Sequence, residues 1–147
     1  MRIALASDHG GFVHKDILVQ YLKDEGHEVI DFGTRSATES VDYPDYARKV
    51  TDAVAKGDAD RGILVCGTGI GMAIAANKTK GIRAANIVSP EFAQLARRHN
   101  DANILALSGR FVDIDMNKRI VDVFLTTDYE KGRHQNRLDK VTEIEND

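Results

Sequence analysis

The sequence holds one cysteine, Cys66, at the end of the run Arg61-Gly62-Ile63-Leu64-Val65-Cys66 and directly before Gly67-Thr68-Gly69-Ile70-Gly71. The run is continuous, aliphatic and β-branched, which is the composition of a buried parallel strand. The glycines after it allow a tight turn and close approach of backbone to a ligand. The alanine-rich stretch that follows, to Asn77, reads as a short helix. A thiol placed there meets the free N–H groups and the positive dipole end of a helix start. That setting suits a phosphate, or an oxyanion formed during a reaction, and it favours thiolate chemistry. The same residues also fit a plain strand-to-helix turn with a buried cysteine.

Three better-known motifs are excluded. A dinucleotide fingerprint needs its third glycine at position 72, and normally follows the first strand; a Walker loop needs Gly-Lys-Ser/Thr. A cysteine-phosphatase loop needs an arginine six residues beyond the nucleophile. Position 72 is Met, and no Gly-Lys-Ser/Thr follows the turn.

Other residues suit the same chemistry. Asp8-His9-Gly10-Gly11 follows the first apolar run; Asp8 and His9 could hold a sugar hydroxyl and a phosphate, or form a turn and helix cap. Tyr43 and Ser108-Gly109-Arg110 fall at comparable places. His99-Asn100 ends a predicted helix, where a histidine also suits the dipole. Gly132-Arg133-His134-Gln135-Asn136-Arg137 is a basic cluster in an acidic chain of net charge −3. Arg133 and Arg137 lie one helical turn apart and could clamp one phosphate. Cations at a helix start oppose the dipole, which hints at an external anion. No histidine pair has metal-ligand helical spacing, so no metal site is expected.

The elements that must position these residues alternate regularly. Strands are expected at Arg2–Ser7, Glu28–Phe32, Arg61–Cys66, Arg83–Val88 and Asn103–Leu107. Helices are expected over Val13–Leu22 with Gly26 as a stop, after Asp42 as cap with Pro44 in the first turn, up to Asn77, from Ser89-Pro90 to Arg98, over Ile114–Leu125 and over Gln135–Glu145. This pattern predicts a doubly wound α/β three-layer sandwich, a five-stranded parallel sheet with helices on both faces. Ligands in that architecture bind beyond the carboxyl ends of the strands. The last helix shows only Leu138, Val141 and Ile144 as an apolar stripe, so it is expected to pack on a neighbouring subunit.

The bulk numbers narrow the function. A chain of 147 residues is expected to form a single domain, 1–147. The charge argues against nucleic acid or an anionic membrane as partner. No apolar run could span a bilayer, and Met1–Asp8 lacks a signal-peptide layout, so a cytoplasmic location is expected. A lone cysteine forms no internal disulfide.

Taken together, SDHGG, EVIDFGT, DYPDYA, ILVCGTGIGMAIAANK, GIRAA, RHNDANILALSGR and YEKGRHQNR resemble the ribose-5-phosphate isomerase B family, which is related to the galactose-6-phosphate isomerase subunits. The resemblance runs almost from end to end. It implies interconversion of ribose 5-phosphate and ribulose 5-phosphate through an enediolate, without metal or cofactor. By the same resemblance Cys66 is the base, His99 the ring-opening acid, and Thr68 a catalytic hydroxyl. Asp8, His9, Tyr43, Gly67, Gly69, Ile70, Gly71, Asn100 and Arg110 match substrate-binding positions, and His9, Arg133 and Arg137 phosphate-binding ones. The resemblance also implies a homodimer or tetramer. Some relatives place a glutamate near the cysteine as base, and the galactose-6-phosphate subunits lack this cysteine; keeping Cys66 and GRHQNR favours ribose 5-phosphate.

Geometry adds an expectation of its own. The fourth helix starts at the carboxyl edge of the sheet and runs back, so His99 should lie at the opposite edge from Cys66 of the same chain. If both serve one site, that site is shared between subunits. The alternatives are a hexose-phosphate isomerase (allose 6-phosphate or galactose 6-phosphate) or a subunit of one, and a non-catalytic anion-binding module of flavodoxin-like build.

Overall fold

Side chains along a strand point alternately to the two faces of a sheet, and that alternation sorts this core into two layers. In the computed structural model, which describes residues Met1–Asp147, the strands are β1 (Arg2–Ser7), β2 (Glu28–Asp31), β3 (Arg61–Cys66), β4 (Ala84–Asn86) and β5 (Ile104–Ser108). They form one five-stranded sheet in the order β2-β1-β3-β5-β4, every pair parallel. The helices are α1 (Phe12–Asp24), α2 (Tyr43–Ala55), α3 (Ile70–Ala76), α4 (Pro90–Asn100), α5 (Ile114–Thr126) and α6 (Arg133–Glu145). Ile3, Leu5, Ile63, Val65, Leu105 and Leu107 face α1, α4 and α5 and pack with Leu18, Leu22, Ala93, Ile120 and Phe124. Ala4, Ala6, Leu64, Cys66, Ile104 and Ala106 face α2 and α3 and pack with Ala47, Val50, Met72 and Ala76. The expected doubly wound sandwich is the observed one, and Cys66 lies on its α2/α3 face.

Element ends differ from expectation where side chains take over backbone bonds. The fourth strand contracts to Ala84–Asn86 because Arg83 N–H donates to Asn103 Oδ1 at 2.8 Å. On the outer side of β4, Asn77 Oδ1 accepts from Ala84 N–H at 2.8 Å and Asn77 Nδ2 donates to Ala84 O at 3.0 Å. Helix α4 runs on to Asn100 and stops at Asp101, whose φ of 45° is left-handed. Helix α6 begins two residues earlier than expected, at Arg133. Asp42 occupies the N-cap position of α2, but its side chain makes no capping bond. In α6, Leu138 is buried while Val141 and Ile144 are exposed.

One buried charge braces the loop after β2. Lys15 of α1 has no exposed surface, and its Nζ donates to both oxygens of Asp31 at 3.0 and 3.1 Å. Asp31 also accepts from Arg35 and from Gly33 N–H. Burial pushes this carboxyl up, but the Gly33 N–H, Lys15 and Arg35 outweigh it and hold it below the usual carboxylate range. Asp31→Asn strands a buried ammonium, leaving only the exposed Asp16 at 3.9 Å. We expect it to cost about 3–5 kcal/mol in urea unfolding. Lys15→Met should cost less, since Asp31 keeps Arg35 and Gly33. The folded carboxyl titrates below the unfolded one. Its stabilisation is therefore complete above the unfolded carboxylate range and is lost as pH falls through the depressed folded value. Wild-type protein should accordingly lose more stability on acidification through that window than Asp31→Asn does.

Candidate active site

From β1 the chain moves outward to β2 and then crosses back to β3 on the other side of β1. The loops leaving the carboxyl ends of β1 and β3 therefore diverge, and the crevice between them is the ligand position of open α/β sheets. Asp8 and His9 form one lip, Cys66 to Gly71 the other, and Ser108 to Arg110 follow beside it after β5.

The cysteine turn is held by a dense set of bonds. Cys66 is 5% exposed, and its Sγ accepts from Gly69 N–H at 3.1 Å. Gly69 has φ +85°, and a Cβ there would lie 2.3 Å from Asn86 Nδ2, so both conformation and space demand glycine. Asn86 Nδ2 donates to Thr68 O and Ala106 O, tying the turn to β5. Thr68 Oγ1 accepts from Ile70 N–H at 3.1 Å, which leaves its hydroxyl proton available. Gly67 O accepts from Ser108 Oγ at 2.7 Å and from Arg110 N–H at 3.2 Å, while Gly109 N–H donates to Cys66 O at 2.8 Å. Buried Asn117 of α5 supports that second turn by donating to Ser108 O.

Two side chains close over this frame. The Arg110 guanidinium lies on Gly10 and Gly67: a Cβ at either would come within 3.2 and 3.3 Å of it. Its cation thus reaches from β5 towards β1 across the crevice. The Tyr43 ring lies on Gly71, where a Cβ would come within 2.7 Å of Cζ. Met72, where a phosphatase would need arginine, is fully buried in the core.

On the opposite lip, Asp8 Oδ1 accepts from Gly11 N–H at 3.1 Å and caps a single 3-10 turn, His9–Gly11, ahead of α1. His9 Nδ1 accepts from Val41 N–H at 3.2 Å. The neutral ring therefore carries its proton on Nε2, as a donor for a ligand. Asp8, His9, Tyr43, Gly67, Thr68, Gly69, Ile70, Gly71 and Arg110 are thus gathered with Cys66 at one edge of the sheet.

His99, Asn100, Arg133 and Arg137 are not brought there. Asn100 O accepts from Arg83 Nε at 3.1 Å, and Arg83 immediately precedes β4, so the end of α4 lies at the amino edge of the sheet. An 11-residue helix spans roughly 16 Å at 1.5 Å per residue. His99 is therefore separated from Cys66 of its own chain by about the depth of the sheet. Beside it, the His134 ring stacks on the His99 ring at 4.4 Å between centroids and 17° between planes. Arg133 and Arg137 are exposed on the first turns of α6, which has no side-chain cap and no acidic residue in its first turn.

Ligand atoms of His99, Glu130 and His134 lie within 4.8 Å of one another, a proximity that sequence spacing could not reveal. Stacked rings keep their nitrogen lone pairs in two nearly parallel planes, so as placed the two imidazoles do not converge on one ion. Glu130 pairs with Arg98, whose guanidinium holds its carboxyl below the usual range with help from His134 and His99. Asn86, Asn117 and Glu130 escaped the sequence reading. The available signals were a polar residue ending an apolar strand (Asn86) and one on the buried face of α5 (Asn117).

The sequence pattern of the family described as "Ribose/Galactose Isomerase" matches residues 3–141. The chain belongs to that family. Ribose-5-phosphate isomerase B of Escherichia coli is 51% identical over 144 residues, covering 98% of this chain and 96% of that protein. Among solved structures, ribose-5-phosphate isomerase B of Clostridium thermocellum superposes with a TM-score of 0.98 at 51% identity, covering 99% of this chain and 98% of its own. That of Mycoplasma genitalium, with bound ribulose-5-phosphate, superposes at 0.94 with 47% identity, over 99% and 97% of the two chains. As a member of the ribose/galactose isomerase family the protein is an isomerase, and no helix in it is long and apolar enough to cross a membrane.

Proposed function

We propose that this isomerase interconverts ribose 5-phosphate and ribulose 5-phosphate, with Cys66 as the base and His99 as the ring-opening acid. The observation that carries the reading is Cys66 Sγ at the crevice lip, held by Gly69 N–H beside the Thr68 hydroxyl and the start of α3. The similarity to a relative solved with ribulose-5-phosphate supports the substrate.

The chemistry follows from the positions. His99 protonates the ring oxygen of the closed sugar, the bond from C1 to that oxygen breaks, and the anomeric O1–H gives its proton to water as the aldehyde forms. The Cys66 thiolate takes the proton from C2, the C–H electrons form the C1–C2 double bond, and the carbonyl electrons pass to O1. N–H groups at the start of α3 and the Thr68 hydroxyl stabilise that oxyanion. The thiol returns the proton to C1 while the O2 proton passes to O1, leaving the ketose with its C2 carbonyl. Asp8, Tyr43, Asn100 and Arg110 hold the sugar, and His9 Nε2–H, Arg133 and Arg137 hold the phosphate.

Residues from both sheet edges serve one site only if two copies of the chain meet. Exposed Ile70 and Ile74 of α3, with Val88 and Phe92 by β4, supply apolar surface for that contact. The uncovered Val141 and Ile144 of α6 offer a second surface towards a neighbouring subunit, as a tetramer would use. A single domain with a free thiol working on phosphorylated sugars fits the cytoplasm.

The purified protein alone, with a chelator present, is expected to isomerise ribose 5-phosphate with kcat/KM at least about tenfold above that for allose 6-phosphate or galactose 6-phosphate, since a pocket fitted to one carbon chain gains on the order of 1–3 kcal/mol per misfitted group. Preference for a hexose phosphate would replace the proposed substrate. Inactivity on all three would point to a missing partner subunit or a binding module.

A further inference from the structure

The His99 ring makes no hydrogen bond within the chain, so its orientation must come from what it packs against. That neighbour is His134, 9% exposed, whose Nε2 lies 3.3 Å from Glu130 Oε2. The carboxylate faces Nε2 at ion-pair distance, which favours a proton on that nitrogen and biases the ring's orientation. Glu130 is fixed in turn from α4: its N–H donates to Arg98 O at 3.0 Å, and its carboxylate takes the Arg98 guanidinium. A few residues before it, Thr127 O accepts from buried Arg97 Nε at 3.2 Å. The segment between α5 and α6 is thus fastened to the last turn of α4, the turn that bears His99.

We propose that Glu130 is a positioning residue for ring opening: through His134 it holds the stacked His99 imidazole in the orientation that delivers its proton to the sugar ring oxygen. The inference rests on the reading of His99 as the acid. An imidazole is otherwise broadly free about its terminal torsion. Holding it removes that freedom before the substrate arrives. Arg98 keeps Glu130 anionic, and the backbone tie to Arg98 O places the arginines of α6 independently of the carboxylate.

That separation makes the test specific. Glu130→Ala keeps the backbone tie and loses the carboxylate; Glu130→Gln keeps the length and one acceptor oxygen. In Glu130→Ala, kcat on ribose 5-phosphate is expected to fall on the order of tenfold with KM within about twofold. The effect in Glu130→Gln should be intermediate. Ring opening then limits the rate, so the isotope effect of deuterium at C2 on kcat should shrink towards unity. Nitrogen chemical shifts in the substrate-free protein should show less proton occupancy at His134 Nε2 than in wild type. Unchanged kcat, an undiminished isotope effect, unchanged proton occupancy at His134 Nε2, or a rise in KM alone would each overturn the proposal. His99→Ala separates the two levels. If it stays active, the reading of His99 itself fails. If it is inactive while Glu130→Ala behaves as wild type, only the role of Glu130 fails.

Discussion

Cys66→Ala should leave a folded protein that binds sugar phosphate and does not isomerise it. A proton bound to carbon needs a base held in contact with it, and loss of a positioned base costs about 10² to 10⁴ in rate. With Sγ gone, its lip of the crevice holds no other strong base: Thr68 is a weak base, and Asp8 stands on the opposite lip with Oδ1 taken by Gly11 N–H. The structural cost should be small. Cys66 packs among Ala4, Ala6 and Ala106, so deleting one sulfur opens a small space and leaves Gly69 N–H short of its acceptor. Together these cost on the order of 1–2 kcal/mol, or a few degrees in Tm for a chain of this size. Cys66→Ser sharpens the test. The hydroxyl can still accept from Gly69 N–H, yet it does not ionise near neutrality, so its kcat should stay near that of alanine. Calorimetric titration with a non-reacting phosphorylated sugar acid should give a Kd within a few-fold of wild type for both variants. Substantial turnover by Cys66→Ala would remove the cysteine from the mechanism.

Mixing two dead subunits should restore activity. Cys66→Ala and His99→Ala homodimers are each expected to be inactive, because every site lacks one partner. In a heterodimer with a two-fold axis, one site collects both substitutions and the other neither. Random exchange makes half of the dimers mixed, each with one intact site, so activity should recover to about a quarter of wild type. The time course should follow subunit exchange, and the restored sites should show the wild-type KM. The expectation follows from the amino-edge position of Asn100, fixed by its bond to Arg83, against the carboxyl-edge position of Cys66. No recovery after demonstrated exchange would mean that each site is built from one chain, and His99 would lose its assigned part.

The sequence made some of this legible because period and punctuation are local properties. The strand Arg61–Cys66, the glycine turn and the short helix after it are written in consecutive residues. The reversal of α4 relative to β4 follows from connectivity alone, which is why the separation of His99 from Cys66 could be anticipated. What depends on distant segments was hidden. Asn86 reaches Thr68 over β5, Val41 fixes the His9 tautomer from a loop more than thirty residues away in sequence, and Glu130 meets His99 only because one loop folds against α4. Asn103 shortened the fourth strand at its start by supplying a side-chain partner to Arg83 where a ladder had been expected, and Asn77 pairs with the outer side of Ala84. No hydrophobic pattern encodes such substitutions of side chain for backbone.

The amide of Asn77 has a further consequence. By donating to Ala84 O and accepting from Ala84 N–H it imitates one residue of a neighbouring strand and ends the sheet at β4. Unpaired edges invite another chain to add itself on, and repeated addition gives open ribbons. With this edge blunted, copies that meet near β4 must do so through side chains such as the exposed Val88 and Phe92. A two-fold contact through such a patch closes after two subunits. Should two copies share a site as proposed, the blunted edge keeps that contact from extending into a ribbon.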